Sequence, residues 1–162
     1  MDHVDRILAQ WNAERPDLDV GPMGTLGRLN RLTQHLVTAL GRIFAAHGLT
    51  MASFDVLATL RRSGASFTLS PSALIGWTMV TSGTMTNRLD RLEAAGLITR
   101  QPSAGDGRSF DITLTPHGLA LIDRVVTEYV AEQHRLIADL PPALRGGLDE
   151  ALRVWLAKVE AR

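Results

Sequence analysis

The sequence predicts a mainly α-helical protein with one small β-hairpin, and three observations lead there. Apolar residues recur at i, i+3, i+4 and i+7 along much of the 162 residues, the period of helices that bury one face. Two short strand-like runs, "LITRQ" and "SFDITLT", are joined by "PSAGDGR", a loop of turn residues. Ahead of them stand a short helix, a three-residue turn at "TMV" and a second helix. Helix, turn, helix and then a hairpin with a polar tip is the order of a winged helix-turn-helix.

Each element has a local reason. Val4, Ile7, Leu8 and Trp11 make residues 2–13 a short amphipathic helix, and "ERPDLDVGP" breaks it because proline and its turn-forming neighbours cannot continue it. From Met23 to about His47, Leu26, Leu29, Leu32, Leu36, Leu40 and Ile43 set a long helix that stops at Gly48. Thr50 is the expected N-cap of a helix from Met51 to Arg62. "SGASFTL" is a loop with room for a short strand at Phe67 to Leu69. Ser70 followed by Pro71 is an N-cap with proline at the first helical position, so a helix runs to about Trp77. The next spans about Ser82 to Ala95, with Met85, Leu89 and Leu92 inward and Gly96 as its stop. After the hairpin, helices are expected from Pro116 to about Asp139 and from Pro142 to the end, separated by "LPP".

Composition narrows the function. With 17 basic and 17 acidic residues the chain is neutral, which argues against a broad polyanion-binding surface and leaves room for a local basic patch. The absence of cysteine excludes disulfides, thiol catalysis and cysteine-ligated metal. His3, His35, His47, His117 and His134 show no metal-ligand spacing, and neither GxSxG nor a glycine-rich phosphate loop is present. Neither an enzyme nor a metal or cofactor site is expected. The start "MDHVDRILAQW" lacks a signal peptide's basic opening, and no apolar run approaches the roughly 18 residues of a membrane span. A cytoplasmic protein with no membrane partner is expected.

Double-stranded DNA is the expected partner of the helix-turn-helix. Ser82, Thr84, Thr86, Asn87, Asp90 and Arg91 face away from the apolar stripe, offering short hydrogen-bonding groups and a cation for phosphates and base edges. At the hairpin tip, Arg108 suits the minor groove, with Asp106 either orienting it or acting as an ordinary turn aspartate. From Arg88 to Arg108 there are four positive and three negative residues, so arrangement rather than net charge carries this reading. Residues 116–162 are apolar around two helices rather than along one stripe, from Leu119 to Val159, and such breadth calls for a covering surface. A two-fold homodimer would set two recognition helices about 34 Å apart, one DNA turn.

"TSGTMTNRLDRLEAAGLITR", the "DGR" tip and "LTPHGLALI" together resemble the multiple-antibiotic-resistance regulator (MarR) family over nearly the whole chain. The tip keeps the aspartate and the final arginine of the family's Asp-Arg-Arg but has one charge fewer. The resemblance implies a single MarR-type domain over 1–162. Residues 1–47 and 116–162 would form the helices of an interlocked homodimer, and 50–115 the DNA-binding lobe, on a pseudo-palindromic operator.

One further pattern concerns "FDVLATLRR", where Asp55 and Arg62 lie two turns apart on one helix side, about 10 Å by the helical rise and too far for a direct ion pair. Read alone, Asp55 fits a solvent or capping role and Arg62 a helix-end cation. Trp11 alone fits a packing residue, and Arg88 a phosphate contact. Together with the N-terminal helix and "ERPDLD", these four are similar to the ligand constellation of the family's urate-responsive branch. That likeness implies that Trp11 stacks on or hydrogen-bonds the ring of an anionic purine, Arg88 pairs with its charge, Asp55 is displaced by like-charge repulsion and Arg62 positions or neutralises the aspartate, while Arg100 links site and lobe. A repressor released by urate or a related purine is the expected function. Alternatives are the same repressor answering a phenolic or other small anion, and a winged-helix dimer serving only protein assembly.

Overall fold

The computed structural model describes residues 1–78, 85–103 and 110–161. Its elements run α1 (His3–Glu14), α2 (Gly21–Ala46), α3 (Met51–Arg62), β1 (Thr68–Leu69), α4 (Pro71–Trp77), α5 (Met85–Ala94), β2 (Ile98–Pro102), β3 (Phe110–Leu114), α6 (Pro116–Ala138) and α7 (Pro142–Glu160). Each expected helix is present, and the mainly helical winged-helix class is the one found. The chain divides into two compact units, Met1–Arg42 and Ile43–Arg162, with the division inside α2. No single helix among the described residues is long and apolar enough to cross a membrane.

In the first unit, α1 begins on a reciprocal cap. The Asp5 N–H donates to Asp2 Oδ1 at 2.8 Å, and the Asp2 N–H donates to Asp5 Oδ2 at 2.7 Å. Arg28 of α2 donates to Asp2 Oδ2 at 2.8 Å and also reaches Asp5, tying the start of α1 to α2. The Arg28 guanidinium first, and the Asp5 N–H second, hold the Asp2 carboxyl down at about 2. The tie is therefore present above the ordinary carboxylate range and is lost as pH falls through about 2. Gly24 and Gly27 give α1 its close seat, since a Cβ there would stand 3.2 Å from Leu8 Cδ1 and 3.4 Å from Val4 Cγ1. Val4 is buried, whereas Leu26, Leu29, Leu32 and Val37 of α2 are exposed.

The second unit is built on a three-stranded antiparallel sheet in the order β1-β3-β2, with Arg100 opposite Ile112 and Thr68 opposite Thr113. Leu57, Leu60, Leu74, Ile98, Ile112 and Ile122 form its fully buried centre, drawn from α3, α4, the sheet and α6. Phe44 and Phe54 stack at 4.5 Å between ring centres, and Tyr129 of α6 lies 4.9 Å from Phe54. The caps follow the local signals. Thr50 Oγ1 accepts from the Ser53 N–H at 3.1 Å, and Ser70 Oγ accepts from the Ala73 N–H at 3.3 Å. Thr115 Oγ1 accepts from the Gly118 N–H at 2.9 Å and donates to the Gly96 carbonyl at 2.7 Å, fixing α6 to the turn that ends α5. Along α7 no residue is buried, and Leu144, Leu148, Leu152, Trp155 and Leu156 are all exposed.

Candidate functional site

The chemistry gathers around α5. Met85, Leu89 and Leu92 form its buried stripe, the amphipathic pattern that seats the helix on α3 and β2. At about 100° per residue, Thr86, Asp90 and Glu93 fall on one side of that stripe and Asn87, Arg88 and Arg91 on the other. The two flanks have different surroundings.

The first flank is tied to the hairpin by Arg100, which leaves β2 at the position paired with Ile112. Its guanidinium donates to Asp90 Oδ1 at 2.6 Å and pairs with Glu93 Oε2 at 3.3 Å. The Arg100 backbone N–H donates to Glu93 Oε1 at 3.2 Å, and the guanidinium lies 5.6 Å from the centre of the Phe110 ring. Two carboxylates of the helix and one aromatic of the hairpin therefore converge on a single cation. The clamp ties the position of α5 to the base of the hairpin.

The second flank faces a cleft of ≈ 430 Å³. Leu49, Thr50 and Ser53 line it from the start of α3, and Asn87, Arg88 and Arg91 from α5. Among the described residues the lining holds two guanidiniums and no carboxylate, so the cleft favours an anion. Arg88 is half-buried, and its Nη1 is fully buried with no hydrogen-bond partner among the described residues. Leaving such a donor unmet costs about 1–3 kcal/mol.

The other expected site residues lie as follows. Asp55 is half-buried on α3 and is not among the residues lining the cleft. Arg62, at the C-terminal end of α3, donates to the Trp77 carbonyl and so fastens the end of α4. Trp11 belongs to the first unit, where it is 42% exposed on α1. Thr86, Asn87 and Arg91 are exposed on α5, as a groove-reading helix requires. Ser82 and Thr84, and Asp106 and Arg108 at the hairpin tip, lie outside the described residues. Sequence reasoning did not single out Ser53 as part of a site or Glu93 as a partner of Arg100. The one available signal was that Asp90 and Glu93, at i and i+3, share a helix side that needs a cation.

Fold and site together define a winged helix-turn-helix protein whose second helix offers a polar face and whose flank lines an anion-favouring cleft. A model of the MarR family matches residues 47–109. The HTH-type transcriptional regulator PecS of Dickeya dadantii (strain 3937) is 46% identical over 135 residues, covering 83% of this chain and 81% of PecS. Among solved structures, AbsC, a MarR family transcriptional regulator from Streptomyces coelicolor, superposes with a TM-score of 0.78 at 25% identity, covering 90% of this chain and 98% of AbsC. BpsR of Bordetella bronchiseptica, whose DNA binding is regulated by 6-hydroxynicotinic acid, gives 0.69 at 28% identity, covering 85% of this chain and 92% of BpsR. The chain belongs to the MarR family, and it is a transcriptional regulator rather than an enzyme.

Proposed function

We propose that the protein is a homodimeric DNA-binding repressor released from a pseudo-palindromic operator by a small planar anion, urate or a related purine. The observation that carries the ligand reading is the cleft beside α5, which Arg88 and Arg91 line with no carboxylate among the described lining residues. Uric acid is a flat monoanion at neutral pH, and a guanidinium fork meets such an acceptor edge with two parallel hydrogen bonds. Trp11 is assigned to the same ligand through the likeness to the urate-responsive branch alone. An anion seated against the start of α3 also repels the half-buried Asp55 carboxylate two residues on from Ser53, which gives α3 a reason to shift. The Arg100 clamp then carries a movement of α5 to the hairpin, and half-sites one turn apart no longer fit both lobes. Ser82, Thr84, Thr86, Asn87, Arg91 and Arg108 are the proposed DNA contacts, with Asp106 orienting Arg108. The dimer is proposed to form through residues 1–47 and 116–162, around the 50–115 lobe.

A gel-shift titration on the intergenic DNA beside the gene, with and without urate, tests this reading. Retardation relieved by urate, with a tryptophan quench that disappears in Trp11→Phe, supports it. Retardation that no small aromatic anion relieves overturns the ligand-released repressor. A second small anion has a specific observation in its favour: BpsR, of the same fold, answers an aromatic acid, and two guanidiniums suit a carboxylate.

Two variants follow. Asp55→Asn keeps the shape of the side chain and removes its charge, so operator affinity is expected to stay within about threefold while relief by urate is blunted; a wild-type urate response in that variant removes the repulsion step. Leu152→Glu places a carboxylate on the exposed apolar face of α7. Light scattering is expected to show monomer, and an unchanged dimer mass would remove α7 from the interface.

A further inference from the structure

The cleft contains more recognition chemistry than Arg88, and its composition bears on both selectivity and the route of release. Thr50 Oγ1 donates to Ser53 Oγ at 3.1 Å and accepts from the Ser53 N–H at 3.1 Å. Ser53 Oγ thus serves as an acceptor within the cap, so its own O–H is not used in that bond, and Ser53 lines the cleft. Arg88 and Arg91 of α5 line the same cleft, with Asn87 one turn before Arg91 on the same flank. A ligand held here is offered a serine hydroxyl from α3 and two guanidiniums from α5. Leu49 and Leu92 supply apolar lining. That set fits a small flat anion with acceptors on opposite edges.

Arg91 and Asn87 are also the exposed residues by which α5 would enter the groove. The geometry points to a shared-residue site: Ser53 and Arg91 select a planar anion with acceptors on two edges, and the anion competes directly with DNA for Arg91. The inference rests on the ligand-released reading above and adds two residues and a mechanism to it. Competition predicts a different response from a purely conformational switch. When two ligands exclude each other at one residue, the apparent Kd of one rises in proportion to the other without limit. When they act only through a shift of conformation, the effect levels off at a fixed factor.

Calorimetric titration of the full-length, DNA-free protein with urate, and separately with 6-hydroxynicotinate, tests it. Arg91→Gln is expected to weaken binding at least tenfold and Ser53→Ala about threefold, each with a wild-type melting temperature. Adding the operator-bearing duplex is expected to raise the apparent Kd of the bound anion in proportion to duplex concentration. Wild-type affinity in both variants, with binding lost in Arg88→Met, overturns this inference and leaves the ligand-released repressor standing. A duplex effect that saturates overturns the competition. Binding of 6-hydroxynicotinate but not urate, with the same losses in the two variants, supports the site and overturns urate as its ligand. Absence of heat with both anions on the wild-type protein overturns both readings.

Discussion

Gly118→Ala is expected to lower the melting temperature by about 10 °C or more, an effect of roughly 3–5 kcal/mol in a chain of this size. Gly118 is buried in the first turn of α6, and a Cβ at this position would stand 2.0 Å from the Leu97 carbonyl oxygen and 2.9 Å from its carbon. Backbone atoms cannot swing aside as a side-chain tip does. The Leu97 carbonyl already accepts from the Thr115 N–H at 3.1 Å, and the Thr115 hydroxyl holds the Gly96 carbonyl at 2.7 Å. Opening space for a methyl therefore breaks the joint between α6 and the turn after α5, not one contact. Gly76→Ala is the matched control: it also lies in a helix, no described atom approaches its Cβ position within 4 Å, and a small stabilisation is expected from helix propensity. Equal melting temperatures for the two variants would show that α6 is free to shift off Leu97.

Why the joint was hidden in the sequence bears on the whole molecule. Gly118 follows Pro116 and His117 in a helix start that the proline announces, and nothing local distinguishes it from a tolerated helical glycine. Its role comes from Leu97, a residue on another element. The elements themselves were legible because their signals are short-range. Ser70 with Pro71 opens α4, Thr50 opens α3, and alternating Phe110, Ile112 and Leu114 set β3, each by signals within a few residues. Gly24 and Gly27 escaped notice for the same reason as Gly118, since their function is to admit Leu8 and Val4 of another helix.

The candidate site divides in the same way. Periodicity along α5 was enough to separate Asn87 and Arg91 from the buried stripe, and the structure exposes both. Asp55 and Arg62 share a side of α3, but the carbonyl that Arg62 meets belongs to Trp77, fifteen residues away, so spacing within the helix could not supply its partner. Arg100 was singled out through the family resemblance, whereas Asp90 and Glu93 became its partners only when the hairpin folded back on α5. Ser53 carries no sequence signal beyond its place three residues after a cap.

On the proposed assignment, Arg88→Met is expected to reduce affinity for urate roughly a hundredfold, because the proposed guanidinium fork supplies two charge-assisted hydrogen bonds at once. The same variant should show an opposite effect on the protein alone. Among the described residues Arg88 Nη1 is buried without a partner, and a donor so placed contributes desolvation and no hydrogen bond. Methionine has nearly the same length and apolar stem, and it carries no donor to bury. The melting temperature without ligand should therefore hold or rise, while the increase that urate produces in the wild type by mass action should vanish. This opposition separates a binding role from a structural one. A side chain kept for packing or for an internal ion pair lowers stability when it is replaced, and a side chain kept for a ligand lowers only the response. Thermal denaturation of both proteins, with and without urate, gives all four values. A ligand-free melting temperature several degrees below wild type would make Arg88 a structural residue of α5. A preserved urate shift would place the anion's main contact on another group.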